Sequence, residues 1–240
     1  MPDRPGQAGA VERERVLEAL STVRDPELDE PITTLGFVEG LEIGPGVVRA
    51  RLRLPTFFCA PNFAFLMVAD ARAAVRKAVG DGVEIHVRLV DHSNSDEIND
   101  GVEQGGGFEG TFGDEAGGEL EELRVLFWGK SFVMRQERLC RRLMAAGVRA
   151  QDLRALTLAD LPEGEDARRY LARRAELGID TSDTAPFLVD TAGRPLPPES
   201  TARHLRFART VRVSIEGNAE FCRGLLETRY GLQGQEATTA

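Results

Sequence analysis

The sequence lacks the features of membrane-spanning proteins and of secreted, disulfide-bonded proteins. No apolar run approaches the roughly 20 residues that span a bilayer, and the N-terminus has no signal-peptide pattern. The chain has three cysteines, Cys59, Cys140 and Cys222, which are far apart and form no Cys-x-x-Cys pair. This spacing indicates neither a disulfide framework nor a zinc ribbon. We therefore expect a cytoplasmic protein with reduced thiols and no membrane partner.

Motifs of several enzyme classes are also absent. The chain contains no Gly-x-Ser-x-Gly, no His-Glu-x-x-His, no P-loop pattern and no Glu-x-x-His pair of the kind found in di-iron bundles. A cysteine hydrolase would need a histidine close to Cys59, and His86 is the histidine in the same predicted domain. That alternative stays open, because the sequence does not give the distance between the two side chains. The missing motifs favour a protein that is not a self-sufficient catalyst.

One acidic stretch lacks lysine and arginine entirely. From Asp91 to Glu122 the chain has eleven Asp and Glu residues and no Lys or Arg, whereas the net charge of the whole chain is −9. The same stretch contains the glycine runs 105–107 and 117–118. Such a composition is too polar and flexible to build a core. We predict an acidic, glycine-rich linker over residues 92–119.

The segment before this linker, residues 11–91, predicts the order α-β-β-α-β. It begins with apolar residues at helical spacing, and alternating strands at 37–43 and 47–54 then flank a Gly-Pro-Gly turn. An alanine-rich helix over 63–79 and a third alternating strand over 83–89 complete the order. We therefore predict the α/β class, with a small sandwich whose helices lie on one face of the sheet.

The segment after the linker, residues 120–232, predicts a mainly helical second domain. Helical patterns alternate here with two short apolar runs typical of strands. The predicted helices are 132–146, 166–177 and 211–230, and the predicted strands are 123–128 and 186–190.

This second segment is mildly basic. Residues 123–234 contain nineteen Arg and Lys against fourteen Asp and Glu. We expect its arginines to pair with local acids and expect no nucleic-acid partner, because the whole chain is acidic and has no nucleic-acid-reading motif.

Cys59 lies where an alternating strand gives way to an apolar helix. Pro61 suits the first turn of that helix and Asn62 can cap it. A thiol just before a helix faces the positive end of the peptide dipoles, which favours the thiolate that binds soft metals and attacks electrophiles. A small buried apolar role is the alternative for Cys59, since free cysteines are often buried.

The first segment resembles a known family. Asp25-Pro26-Glu27-Leu28 is followed by Ile32 and Leu35-Gly36, then by the hairpin, the loop that carries Cys59, and the helix. This arrangement is similar to the small iron-sulfur cluster assembly domain of SufT-like and PaaD-like proteins, over roughly residues 11–91. The family loop usually has the pattern Thr-x-x-x-Cys-Pro, so the loop of this chain is one residue shorter before the cysteine and has an alanine after it.

The resemblance implies a factor that matures an iron-sulfur or other metal centre in a client metalloprotein, such as a metal-dependent oxygenase. It implies Cys59 as the residue that transiently binds iron or a cluster, with Asp25, Glu27, Thr56 and Asn62 in support. A single thiolate does not saturate iron or zinc, so further ligands would come from these carboxylates, from a second subunit in a homodimer, or from the client. Asp25 before proline is also an ordinary turn signal, and a partly structural role is favoured for it and for Glu27.

Two aromatic residues precede the cysteine. Phe57 and Phe58 could anchor a client protein or could cover the core, and the sequence favours neither. A second function therefore remains in view, that of a non-metal adaptor that holds partners through this aromatic loop and the basic C-terminal half.

We predict that Cys59 is the most reactive of the three thiols. Cys140 and Cys222 fall in apolar-patterned helices, where burial disfavours the thiolate. Alkylation of the native protein, followed by mass spectrometry, should modify Cys59 first. Earlier modification of Cys140 or Cys222 would contradict this order.

Overall fold

A computed structural model describes residues 11–113 and 120–231. Contacts divide the chain into two compact units. Within the described residues, the first unit contains 11–113, Leu120 and 219–231, and the second contains Glu121–Asn218. Residues 114–119 of the predicted linker and residue 232 of the predicted second domain lie outside the described residues.

The first unit is built on a three-stranded sheet in the order β1-β2-β3. Strands β1 (Val38–Gly44) and β2 (Val47–Arg53) form an antiparallel hairpin. Strand β3 (Glu84–Val90) pairs with β2 in parallel, so the chain between them must cross over. Helix α2 (Pro61–Val79) makes that crossover.

Alternating side chains give this sheet one buried face. Val48, Ala50 and Leu52 of β2 are buried, whereas Arg49 and Arg51 between them are exposed.

Helix α1 (Arg13–Ser21) adds its apolar stripe to the same core, and α1 and α2 pack together. The predicted α-β-β-α-β order and the α/β class are confirmed.

The predicted linker is wrong over residues 95–112. These residues form helices α3 (Ser95–Gln104) and α4 (Gly107–Phe112). Ile98, Val102 and Phe108 are buried in the core of the first unit. Overall composition misled the prediction, because these few apolar residues lie at helical spacing among many polar ones.

Polar residues in these two helices also have packing roles. The Asn99 amide accepts a hydrogen bond from the Leu89 N–H at 2.8 Å and donates one to the Leu89 carbonyl at 2.9 Å, which pairs both main-chain groups of Leu89 on the edge strand β3. A Cβ on Gly101 would lie 1.9 Å from Thr111 Oγ1, so α3 and α4 can approach only because this residue is glycine. At least one glycine of the acidic stretch therefore serves close packing and not flexibility.

The second unit is mainly helical, as predicted, although its strands are not formed. It contains helix α5 (Leu120–Ala145) from Glu121 onward, α6 (Glu165–Glu176) and the first part of α7 (Pro198–Tyr230). Residues 123–128 lie within α5, so the strand predicted there is wrong. The strand predicted at 186–190 is represented by isolated bridges, one of them between Val189 and Pro195.

Buried polar groups in the second unit are paired with each other. Tyr170 O–H donates to the Phe187 carbonyl at 2.7 Å, and the Gln136 amide donates to the tyrosine oxygen at 3.0 Å. Arg174 donates to the Pro186 carbonyl at 3.0 Å. This network ties α5 and α6 to the segment around Phe187, which forms no regular strand.

Arginines on α6 pair with nearby acids. Arg168 and Arg169 both contact Glu165, at 2.8 and 2.7 Å. The pairing expected from the sequence is confirmed for these residues.

The predicted domain boundary does not hold for helix α7. The helix predicted over 211–230 is present, but its residues from Ala219 onward belong to the first unit. Ala219 and Leu226 are buried in the first unit's core. Helical periodicity shows which face of a helix is apolar but not which element it covers, so the sequence did not reveal this partner.

Among the residues that the structure describes, none of the helices combines the length and apolar composition needed to cross a bilayer.

The packing of α3 predicts a stability effect that an open linker would not show. Ile98 is fully buried, so Ile98→Ala should lower the opening free energy of the β3 amides by about 2–5 kcal/mol in hydrogen-exchange measurements. Asp100→Ala, at an exposed position of the same helix, should change it by less than about 0.5 kcal/mol. Equal, small effects of both variants would mean that α3 does not support the first unit.

Candidate functional site

The loop that carries Cys59 lies where β2 and β3 both end. Because these strands are parallel, with Arg53 opposite Val90, the chain leaves both of them at the same edge of the sheet. The loop after β2 therefore meets the segment after β3. The Ser93 N–H donates a hydrogen bond to the Phe57 carbonyl at 2.9 Å.

His92 fixes the backbone of this loop. Its Nε2–H donates to the Cys59 carbonyl at 2.7 Å, and its Nδ1 accepts the Asn94 N–H at 3.1 Å. Together these bonds define a neutral imidazole with its proton on Nε2. His92 is buried and both ring nitrogens are engaged, so it positions the loop and does not offer a ligand. His92 is the first residue of the predicted linker, so this role was not predicted from the sequence.

The geometry does not support a cysteine hydrolase. His92 bonds to the carbonyl of Cys59 and not to its sulfur. The ring nitrogens of His86 lie 2.8 Å from a Glu84 oxygen and 3.0 Å from a Glu103 oxygen. The histidine that the alternative required is therefore held by carboxylates.

The Cys59 thiol is half-buried and lies 3.3 Å from Thr56 Oγ1, within hydrogen-bonding distance. Thr56 Oγ1 also accepts the Phe58 N–H at 3.3 Å, so the hydroxyl contacts both Phe58 and Cys59 in the turn that follows it. Helix α2 begins at Pro61, which confirms that Cys59 precedes a helix. Thr56 is thus the predicted supporting residue that contacts the sulfur directly.

Asn62 does not have the capping role expected from the sequence. Ala60 is the N-cap residue of α2 and makes no side-chain cap bond. Asn62 lies inside the first turn, where its Oδ1 accepts the Phe63 N–H at 2.9 Å. The proline at the first helical position already specifies the helix start, which places asparagine one residue beyond it.

Phe57 and Phe58 point away from the core. Their side chains are 42% and 80% exposed, and their rings meet edge to face with centroids 5.0 Å apart. The alternative in which both phenylalanines cover the core is therefore not what the structure shows. They form an aromatic projection next to Cys59.

Asp25 organises the turn that begins the family motif. Its Oδ1 accepts the N–H groups of Glu27 at 2.9 Å and Leu28 at 2.8 Å. Asp29 has a left-handed backbone, with φ of 55°, and its N–H donates to the Asp25 carbonyl at 3.0 Å. The structural role expected for Asp25 is present in this turn.

Burial also alters the acidity of Asp25. Its side chain is removed from water, which raises its pKa from 3.8 to about 6, although the two backbone N–H bonds oppose the shift. The charges of Glu27 and Asp29 raise the pKa further. At neutral pH the turn therefore holds a carboxylate that is costly to ionise.

The end of α7 packs over this motif, within the first unit. Arg223 forms an ion pair with Glu30, and the Leu226 side chain lies beside Gly36, where an added Cβ would be 3.2 Å from Leu226 Cδ2. Gly36 has φ of 76°, so glycine also suits its backbone.

The last turn of α7 contacts the ends of the two parallel strands. Tyr230 O–H donates to an Asp91 oxygen at 2.6 Å, directly after β3. Arg229 contacts the same carboxylate at 2.8 Å and reaches the Leu54 carbonyl, directly after β2, at 3.5 Å. The helix end therefore closes the edge of the sheet from which the Cys59 loop emerges.

Cys222 also belongs to the first unit, a location that was not predicted from the sequence. It is half-buried on α7 and lies close enough to Asp25, Cys59 and Glu27 for their charges to act on its thiol. Burial first, and then these charges, raise its pKa to about 11. No local pattern in the sequence indicates this proximity, because α7 comes from the far end of the chain.

Cys140 lies apart from this region. It is fully buried in the second unit, and burial raises its pKa to about 12. The expected burial of this thiol is confirmed.

The described residues do not form a complete metal site. Nowhere in 11–113 or 120–231 are three or more His, Cys, Asp or Glu side chains grouped so that they could hold a metal ion.

Comparison with protein families identifies one part of the chain. Residues 13–87, under a third of the 240 residues, match the family described as iron-sulfur cluster assembly protein. The resemblance predicted for the N-terminal segment is confirmed, and the C-terminal half has no family match. Neither the curated proteins nor the solved structures include a match to this chain. The matched segment associates the first unit with iron-sulfur cluster assembly.

Asp25 predicts a defined pH dependence of stability. Its pKa is higher in the folded protein, so the folded protein binds more protons and this contribution to stability falls as pH rises from about 4 to 6. Asp25→Asn removes that titration. Relative to the variant, the wild type should lose up to roughly 3 kcal/mol of unfolding free energy over this range, measured by urea unfolding.

Asp100→Asn, which removes an exposed charge, serves as the matched control and should keep the wild-type pH profile. A parallel profile for wild type and Asp25→Asn would contradict the assignment.

Proposed function

We propose that this protein is an accessory factor that helps to assemble or transfer an iron-sulfur cluster, or another metal centre, into a client metalloprotein. The observation that carries the proposal is the Cys59 thiol, half-buried at a strand-to-helix turn, at the edge of the unit that contains the matched segment. A metal-dependent oxygenase is the client class that the resemblance suggests. On this proposal the chain is an assembly factor and not the catalyst of the client's reaction.

The cargo would be bound only transiently. One thiolate leaves most coordination positions of iron open, and the described residues contain no preformed site of three ligands. The remaining ligands would come from the client, or from a second copy of this chain. Partial coordination favours transfer, because the client can replace a few ligands without extracting the metal from a closed cage.

The surroundings of Cys59 suit a thiol that must meet a partner. Hydrogen bonds from His92 and Thr56 hold the loop at the edge of the sheet where β2 and β3 end, while Cys59 remains partly accessible. A fixed ligand loses less conformational entropy on binding than a mobile one. The loop is therefore preorganised for exchange of its cargo.

Phe57 and Phe58 would form the client contact. Exposed aromatic side chains are common anchors in protein interfaces, because they bury a large apolar area with few rotatable bonds. Phe58 is 80% exposed on the same loop as the thiol. A client that covers these rings would bring its own ligands close to Cys59.

Asp25 and Glu27 would support the site from the adjacent turn. After burial, which is the largest cause, their charges raise the pKa of the Cys222 thiol, whereas Arg223 on the same helix lowers it. A cation would be favoured there, whereas a free anionic ligand would be repelled.

The aromatic projection formed by Phe57 and Phe58 would also suit a second function, one that needs no metal. If Phe57 and Phe58 bind a partner without metal transfer, the protein is an adaptor. The exposure of both rings favours this alternative, and loss of Cys59 separates it from the proposed function.

Cys59→Ser should abolish cluster handling. Under anaerobic conditions, the reduced protein is loaded with ferric iron and sulfide, and transfer to an apo-ferredoxin acceptor is followed by absorbance. The variant should retain less than about a tenth of the iron and of the transfer rate, because serine is a poor ligand for iron. Cys140→Ser, whose position is buried in the second unit, is the control and should match the wild type.

Phe58→Ala separates binding of cargo from contact with a partner. This variant should load iron normally but transfer it more slowly, since the ring is exposed and contributes little to the core.

Normal loading and transfer by Cys59→Ser would overturn the proposed function. Partner binding that persists in Cys59→Ser would favour the adaptor.

A further inference from the structure

A groove on the second unit lies between helices α5 and α7. It has a volume of about 440 Å³, and all of its lining residues belong to Glu121–Asn218. One stripe of each helix lines it, at residues 137, 141 and 144 of α5 and 205, 209 and 212 of α7. Both stripes follow the i, i+4, i+7 spacing, so each helix presents one face to the groove. The family match ends at residue 87 and assigns nothing to this groove.

Ion pairs between the two helices engage the acids of this region. Arg212 Nε of α7 lies 2.6 Å from Glu137 Oε2 of α5, and Arg138 Nη2 of α5 lies 3.0 Å from Glu216 Oε1 of α7. Arg212 also contacts Glu216. Both carboxylates are therefore paired with arginines that join α5 to α7.

Three further arginines line the groove or its rim without such partners. Within the part of the chain that the structure describes, the guanidinium groups of Arg141, Arg206 and Arg209 form no ion pair and no hydrogen bond. The pairing with local acids that the sequence predicts does not extend to these three residues. Glu137 does not balance their charge, because it is already paired with Arg212.

Convergent guanidinium groups favour phosphate as a ligand. A guanidinium group is planar, stays charged at all ordinary pH values and can donate two parallel hydrogen bonds to one phosphate. Three of them around one concave surface create a positive potential that attracts anions. A single carboxylate would balance one of these charges, whereas a chain of phosphates can balance all three.

The groove also has an apolar part of small-molecule size. Met144 is 37% exposed and Leu205 is partly buried, so both offer apolar surface to a ligand. Small-molecule sites usually combine such surface with a few polar groups, in volumes of roughly 300–1,000 Å³. A long polyanion is disfavoured, because the whole chain has a net charge of −9.

We propose that this groove binds a small organic polyphosphate. Its phosphate groups would lie on Arg141, Arg206 and Arg209, and its apolar part against Met144 and Leu205. Binding is reversible and changes no covalent bond. The site lies in the unit that has no family match, so it does not depend on the function proposed for Cys59.

Calorimetric titration of the full-length protein with inorganic tripolyphosphate tests the arginines. The wild type should bind one tripolyphosphate per chain, with an affinity that falls as the salt concentration rises. Arg206→Gln and Arg209→Gln should each bind it roughly tenfold or more weakly, because each variant loses charge-assisted hydrogen bonds. Arg203→Gln is the matched control and should stay within about twofold of the wild type, since Arg203 is exposed on the same helix but does not line the groove.

A protection experiment needs no variant. Phenylglyoxal modifies accessible arginines, and mass spectrometry locates the modified residues. In the wild type, tripolyphosphate should slow modification of Arg141, Arg206 and Arg209 and leave Arg203 unchanged. Equal protection of Arg203, several tripolyphosphates per chain, or no binding would overturn the site.

ATP, used without a divalent cation, tests the apolar part. It carries the same triphosphate chain with a nucleoside added, so it should bind more tightly than tripolyphosphate, and Met144→Ser should reduce that gain. Equal affinity of the wild type for both probes would overturn the assignment of an organic ligand. An oligonucleotide, or vesicles of anionic phospholipid, that bound this groove more tightly than ATP would overturn the assignment of a small one.

Discussion

Parallel pairing of β2 with β3 is the constraint on which the site depends. It requires α2 as a crossover, and it brings the ends of both strands to one edge of the sheet. The loop that begins α2 therefore meets His92, which follows β3 and holds the Cys59 carbonyl at 2.7 Å. An antiparallel β3 would end at the opposite edge and would leave the cysteine loop without this support.

The first unit extends well beyond the matched segment. Its core continues through α3 and α4 and includes the end of α7, which packs over the Asp25–Gly36 motif. The segment that matches the assembly family is thus covered by a helix from a distant part of the chain. Asp25 of this motif raises the pKa of Cys222 on α7, so the acidic turn and the helix that covers it are electrostatically coupled.

Local patterns predicted the local structure well. Alternation in β2 and the apolar spacing in α2 predicted these elements, and Pro61 predicted the start of the helix before which Cys59 lies. The composition of residues 95–112 wrongly predicted a linker there, because a few apolar side chains suffice to dock a short helix. His92 and Cys222 could not be placed from sequence, since each reaches the site through pairing or packing between distant segments. Recognition of the β-α-β crossover could have indicated His92, whereas no local pattern indicates Cys222.

The central claim of the proposed function is that Cys59 is the residue that binds the metal cargo. Anomalous X-ray scattering from crystals of the reduced protein grown with Zn²⁺ would test it most directly. The account predicts a zinc peak bonded to Cys59 Sγ at about 2.3 Å, the usual zinc–sulfur distance. Zinc bound only at other residues, or no zinc at this sulfur, would contradict it.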